Sequence, residues 1–145
     1  MNELLGNKII LCCIVSWIVA QVLKTLIDWR ITRVFNIRKM INNGGMPSAH
    51  TAVVMSLSIM VALKEGLGST AFAVCCIVTA VVINDAVGVR YHTGEQSKVL
   101  NKIIHRTIIE GEPITDETLQ ELVGHTPTEA FFGALIGILV PLFFR

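Results

Sequence analysis

Four apolar stretches separated by charged residues constrain the fold of this chain more than any other feature. They cover residues 9–23, 51–63, 66–84 and 130–144. A transmembrane helix needs about 20 mostly apolar residues, and only the third stretch approaches that length unaided. The other three reach it when flanking polar residues are included, because such residues can face a bundle interior or extend towards the interface.

The composition favours a membrane over a soluble helical core. Charged residues make up 16% of the chain, whereas about a quarter is typical of soluble domains, so they are too few to cover four apolar helices in water. The net charge of +1 lacks the basic excess of a nucleic-acid-binding protein. We therefore predict a single all-α domain over residues 1–145. It is a polytopic membrane helical bundle of about four transmembrane helices, with short amphipathic helices in the long connections.

The two long connections share one side of the membrane if four helices span it. They comprise residues 24–50 and 85–125, and they carry nine of the twelve Lys and Arg residues. The positive-inside rule then places this side in the cytoplasm of a multi-pass cell-membrane protein. Some of these cations could serve an anionic ligand instead, and this alternative stays open.

The first polar motif is Gly-Gly-Met-Pro-Ser-Ala-His at residues 44–50. Gly44 and Gly45 allow the backbone to approach a ligand closely. A helix that starts here presents unpaired N–H groups to an anion, Ser48 can donate a further hydrogen bond, and His50 can exchange a proton. A plain loop and helix cap would use the same residues, so both interpretations stay open.

The second polar motif is Gly-His-Thr-Pro-Thr-Glu at residues 124–129. Thr126, Pro127 and Glu129 fit a capping box with proline at the first helical position. A Glu129 carboxylate near His125 would also fix the tautomer of the imidazole and make its other nitrogen a better nucleophile. The two roles of Glu129 are compatible with each other.

The third polar motif, Asp-Ala-Val-Gly-Val-Arg, ends the longest apolar stretch at residues 85–90. Ionisable residues at a membrane boundary are costly and are usually functional or paired. Arg90 could therefore bind phosphate through its planar guanidinium group, or form a structural pair with Asp85. Lys24 presents a similar choice between anion binding and extension to the interface.

Neither the cysteines nor the remaining histidines suggest a metal site. Cys12-Cys13 and Cys75-Cys76 are adjacent pairs inside apolar stretches, without metal-ligand spacing. His92 and His105 have no neighbouring catalytic pattern, and we expect them at the surface.

Together the three motifs resemble a divergent, small-protein branch of the type-2 phosphatidic acid phosphatase family, related to acid phosphatases and vanadium-dependent haloperoxidases. The likeness extends from about Gln21 to Gly137. It implies that His125 is the nucleophile, that Glu129 orients it and that His50 protonates the leaving group. The resemblance assigns phosphate binding to Lys24, Arg90, Ser48, Gly44 and Gly45.

Ala49 stands for a glycine and Glu129 for an aspartate of the wider superfamily's pattern, and two further elements depart from it more strongly. Seven residues after the lysine, that pattern has Arg-Pro, whereas Ile31 stands here, and either Arg30 or Arg33 would have to substitute. The pattern also has Ser-Arg shortly before the nucleophilic histidine. Arg90 is the best replacement, but it lies far upstream.

The resemblance implies a membrane-embedded phosphatase that hydrolyses a lipid-linked phosphate monoester or diphosphate through a phosphohistidine intermediate. No metal or other cofactor is expected. The expected partners are the lipid bilayer and a lipid-phosphate substrate, and a homo-oligomer stays open. Two alternatives remain. One is a non-hydrolytic membrane protein that binds or translocates an anionic lipid headgroup, and the other is a structural subunit whose motifs only cap helices.

Overall fold

The computed structural model describes residues 6–33, 45–89, 92–94, 96–101, 103 and 125–144. These residues include helices α1 (Lys8–Thr32), α2 (Ala49–Glu65), α3 (Thr70–Asn84) and α4 (Pro127–Leu142). A π-helix at Asp85–Val89 continues from the end of α3. All regular structure in this part of the chain is helical, which confirms the all-α fold class.

Each of the four helices begins at a polar side chain that accepts a hydrogen bond from a backbone N–H two or three residues ahead. These capping residues are Asn7, Ser48, Ser69 and Thr126. At the start of α4 the capping box is complete, because the Glu129 side chain also accepts from the Thr126 N–H. The helix start predicted from that motif is therefore confirmed.

Helix α1 is longer than its apolar stretch suggests. It continues to Thr32, so the prediction that the first long connection begins at residue 24 is wrong. The polar residues beyond position 20 stay helical because they pack inside the bundle. Gln21, Lys24 and Thr25 are buried, and the Thr25 hydroxyl donates to the Gln21 carbonyl oxygen at 2.9 Å.

Helix α2 lies at the centre of the bundle and packs against α1, α3 and α4, while α1 also contacts α4. Two glycines allow α4 to approach α2 closely. A Cβ atom at Gly133 would collide with the Ser48 carbonyl oxygen, and one at Gly137 would lie 2.6 Å from the Met55 Cβ. Close packing through small residues is typical of membrane helices. It fixes the first turn of α4 beside the first turn of α2.

Apolar side chains cover the outside of the bundle and hydroxyl groups lie inside it. Trp17, Ile77 and Phe131 are among the exposed large residues, whereas the buried Ser58 and Thr79 hydroxyls are 2.8 Å apart. This distribution suits a hydrocarbon solvent. Helix α1 and the helix that contains α3 are long and apolar enough to cross a membrane. The arrangement is that of a helical membrane bundle.

The second long connection begins with the π-helix and also contains helical residues at 92–94 and 96–101. The predicted amphipathic stretch here is helical as far as it is described, with Val99 and Ile103 both more than half exposed. The remainder of the predicted amphipathic helices in the two long connections lies outside the described residues.

Candidate active site at the start of two helices

Two backbone hydrogen bonds bring the three polar motifs together at one end of the bundle. The Ser48 N–H donates to the Glu129 carbonyl oxygen at 3.0 Å, which joins the first motif to the second. The His125 N–H donates to the Ala86 carbonyl oxygen at 3.0 Å, which joins the second motif to the third. The starts of α2 and α4 and the end of α3 therefore form one site.

His125 is almost completely buried, and a carboxylate holds its ring. The residue is 4% exposed, and its Nδ1 atom lies 3.0 Å from Glu129 Oε2. With the proton on Nδ1 donated to this carboxylate, the Nε2 atom keeps its lone pair. The same Oε2 accepts the Thr126 N–H at 3.2 Å. One carboxylate thus caps α4 and orients His125.

His50 faces His125 from the first turn of α2. The two ring centroids are 6.0 Å apart, and the ring planes are inclined at 54°. His50 is exposed, in contrast to the buried His125. The two histidines therefore differ in environment: one is fixed by a carboxylate and the other is accessible to solvent or to a ligand.

Lys24 reaches the same region from the middle of α1. The residue is 7% exposed, and its ammonium group interacts electrostatically with the Glu129 carboxylate. Gly45 lies against the lysine side chain, because a Cβ atom at Gly45 would be 3.2 Å from Lys24 Cε. Gly45 also has a φ of +95°, which disfavours any other residue. The loop before α2 therefore packs directly against the Lys24 side chain.

Ser48 is placed in the helix cap. It is completely buried, and its Oγ accepts hydrogen bonds from the Thr51 N–H at 3.3 Å and from the Thr51 hydroxyl at 3.0 Å. Its hydroxyl oxygen therefore stabilises the start of α2. A hydrogen bond from Ser48 to a bound phosphate stays a prediction.

The structure thus groups five of the eight residues predicted for the site around one end of the bundle, and places Ser48 beneath them in the cap of α2. The five are His125, Glu129, His50, Lys24 and Gly45. Gly44 and Arg90 lie outside the described residues, so their roles stay predictions. His92 is exposed, as expected, and His105 is also outside the described residues.

Two contributions to the site were not foreseen. Ala86 acts through its backbone carbonyl oxygen, and no side-chain pattern could have identified it. Thr51, which is completely buried, could have been recognised from its position three residues after the Ser48 cap. In the part of the chain that the structure describes, no three His, Cys, Asp or Glu side chains converge as metal ligands.

Comparison with known proteins identifies the family to which this chain belongs. The model of the Divergent PAP2 family matches residues 5–140. The uncharacterized membrane protein YuiD of Bacillus subtilis (strain 168) is 41% identical over 150 residues, which cover 97% of this chain and 95% of the relative. No solved structure matches. The membrane relative supports a membrane location, and the family match includes all three polar motifs. The chain therefore belongs to the divergent PAP2 family, as its motifs predict.

Proposed function

We propose that this protein is a membrane-embedded phosphatase that hydrolyses a lipid-linked phosphate monoester or diphosphate. One observation carries the proposal: the buried His125 has its Nδ1 atom 3.0 Å from Glu129 Oε2, and its ring faces His50 at a centroid distance of 6.0 Å. A nucleophile, its orienting carboxylate and a second proton-transfer group thus lie within reach of one phosphoryl group.

The first half of the reaction forms a covalent intermediate. The lone pair of His125 Nε2 attacks phosphorus, and the bond from phosphorus to the leaving oxygen breaks. Protonated His50 donates its proton to that oxygen, so the alcohol or the shorter phosphate leaves in neutralised form. Glu129 stabilises the positive charge that develops on the His125 ring while it accepts the Nδ1 hydrogen bond.

The second half returns the site to its starting state. His50, now neutral, removes a proton from a water molecule that attacks the phosphohistidine. The bond from phosphorus to His125 Nε2 breaks, and inorganic phosphate leaves. The ammonium group of Lys24 and the positive ends of α2 and α4 stabilise the charge on the phosphoryl oxygens through both halves.

The packing of the helices supports a multi-pass topology. Helices α2 and α4 have 17 and 16 residues, which gives each a length of about 25 Å, slightly less than the hydrocarbon core of a bilayer. Both begin at the site and pack against α1, which is long enough to span. We therefore place the site at a membrane face of a four-span bundle. The positive-inside rule favours the cytoplasm for that face.

The test is phosphate release by the purified protein in detergent. The substrates are phosphatidate, phosphatidylglycerophosphate and polyprenyl phosphates and diphosphates. His125→Ala should abolish release, and vanadate should block the wild type. His92→Ala is the matched control, because His92 is an exposed histidine outside the site, and this variant should retain full activity.

The alternative of headgroup binding without hydrolysis gives a different result in the same experiment. Saturable binding of a lipid phosphate, weakened by Lys24→Met and accompanied by no phosphate release from any substrate, would replace the phosphatase proposal. If the wild-type protein neither binds a lipid phosphate nor releases phosphate from one, the three motifs act only as helix caps.

A further inference from the structure

A cavity lies at the end of the bundle opposite to the candidate site, where three helix ends meet. The start of α1 contributes Lys8 to its lining, the end of α2 contributes Lys64, and the residues after α4 contribute Phe144. Its volume is about 440 Å³, within the range of roughly 300–1,000 Å³ that is typical of small-molecule sites. We call this space the distal cavity.

The distal cavity is separate from the candidate site. His50 stands in the first turn of α2 and Lys64 in its last turn, so the helical rise places them about 20 Å apart along the axis. No histidine is among the described residues that line the cavity. The cavity can therefore bind a ligand, but it lacks the groups that the candidate site offers for hydrolysis.

Two lysine side chains face the distal cavity without a counter-charge. Lys8 and Lys64 come from different helices, and within the described ranges neither ammonium group forms an ion pair. Glu65 follows Lys64 in the sequence but does not line the cavity. Two like charges at one cavity repel each other, and an anion bound between them removes this repulsion.

The inner wall of the distal cavity is apolar. Met60 lines it and is only 6% exposed, so the cavity reaches the packed interior of the bundle. Ile9, Leu63 and Phe144 add further apolar surface. A small inorganic anion would contact the lysines and leave this wall uncovered, whereas a ligand with an anionic head and an apolar body fits both parts.

We infer that the distal cavity binds an anionic phospholipid from the leaflet opposite to the candidate site of the four-span bundle. The lipid phosphate lies between Lys8 and Lys64, because lysines near a membrane surface attract anionic lipids. The adjoining apolar part of the lipid covers Met60. One lipid thus fastens the start of α1 to the end of α2. It is a bound structural ligand and not a substrate, so this inference goes beyond the proposed phosphatase function and does not depend on it.

Thermal unfolding in detergent micelles tests the role of the lysines, because a ligand that binds only the folded protein stabilises it. The unfolding midpoint should rise with added phosphatidylglycerol and reach a plateau, and it should rise much less with zwitterionic phosphatidylcholine. Lys8→Gln and Lys64→Gln should each weaken the apparent affinity for phosphatidylglycerol about 5-fold, the contribution of one lysine near an anionic surface. Lys98→Gln removes the same charge outside the cavity and should leave the rise unchanged. Equal losses in all three variants would indicate diffuse attraction and overturn the inference.

Native mass spectrometry tests the apolar wall. The wild-type protein should retain one phosphatidylglycerol molecule after release from the micelle, in preference to phosphatidylcholine. Leu63→Trp should displace this lipid, because the larger side chain fills the cavity that Leu63 lines. Leu67→Trp is the matched control, since Leu67 is exposed in the loop after α2 and lies outside the cavity. Equal retention of the lipid by both variants would place it elsewhere and overturn the inference.

Two further measurements separate the distal cavity from other binding. Vanadate is directed at the candidate site, so it should leave the retained phosphatidylglycerol in place. Binding that vanadate or Lys24→Met removes, and that Lys64→Gln leaves intact, would overturn the inference while the phosphatase proposal stands. Inorganic phosphate alone should give little stabilisation. A rise in the midpoint with phosphate as large as that with phosphatidylglycerol, and lost in Lys64→Gln, would identify a free-anion site and overturn the lipid as its occupant.

Discussion

The carboxylate of Glu129 serves two partners through one atom: Oε2 lies 3.0 Å from His125 Nδ1 and 3.2 Å from the Thr126 nitrogen. Removal of the side chain would therefore disturb the helix cap and the histidine together. Substitutions that separate the two contacts can distinguish a structural role of Glu129 from a role in the reaction.

Glu129→Gln should retain the fold and lose activity. The amide oxygen of glutamine can still accept the Thr126 N–H, but it lacks the charge that stabilises an imidazolium ring at His125. We expect kcat to fall about 10²- to 10⁴-fold, the usual contribution of a positioned acid–base group. Phosphate release measures this loss, and thermal unfolding in detergent checks that the midpoint changes little.

Thr126→Ala should weaken the helix cap and retain the activity. It removes the hydroxyl that accepts the Glu129 N–H at 3.3 Å and leaves the His125–Glu129 contact intact. Loss of a cap costs about 1 kcal/mol, so the unfolding midpoint should fall while kcat stays within about 10-fold of wild type. If kcat fell only in proportion to the unfolding midpoint in both Glu129→Gln and Thr126→Ala, Glu129 would not orient His125 for the reaction.

Lys24→Met should weaken phosphate binding without unpacking α1. Methionine retains most of the buried stem that lies against Gly45 but removes the charge. We expect kcat/KM to fall about 10²- to 10³-fold, as when a group that stabilises transition-state charge is removed. Inhibition by vanadate should weaken in parallel. Lys64→Met is the control, because Lys64 is exposed at the opposite end of α2, and wild-type vanadate inhibition in Lys24→Met would count against the assignment.

Gly133→Ala should destabilise the protein at the contact between α2 and α4. The added Cβ atom would collide with the Ser48 carbonyl oxygen, and the Ser48–Glu129 hydrogen bond lies close to this contact. Overpacking of this kind costs about 1–3 kcal/mol, so the unfolding midpoint and the activity should both fall.

Gly68→Ala is the matched control for this substitution. A Cβ atom at Gly68 meets no atom within 4 Å, so stability and activity should be unchanged. An unfolding midpoint for Gly133→Ala equal to that of Gly68→Ala would refute the close packing of α4 on α2.

The starts of the helices could be predicted because capping is local chemistry. Thr126, Pro127 and Glu129 lie within four consecutive residues, and their types alone indicate a capping box. The grouping of His50 with His125 could also be predicted, because alternate connections of a four-span bundle emerge on one side of the membrane and because the motifs resemble a phosphatase family.

Other features depend on packing between distant segments. The extension of α1 past Lys24 depends on the burial of Gln21 and Thr25 inside the bundle. The hydropathy of the sequence cannot predict this burial. The hydrogen bond from the His125 N–H to the Ala86 carbonyl oxygen joins backbone atoms far apart in sequence. The π-helix at Asp85–Val89 likewise has no simple residue signature.

The most direct measurement is detection of the phosphorylated enzyme itself. The protein is mixed with a lipid phosphate radiolabelled at phosphorus, quenched under alkaline conditions and digested for mass spectrometry. We expect acid-labile label on the peptide that contains His125, label at the same position in His92→Ala, and none in His125→Ala. Hydrolysis that continues in His125→Ala, or a wild-type phosphoenzyme labelled at another residue, would contradict nucleophilic catalysis by His125.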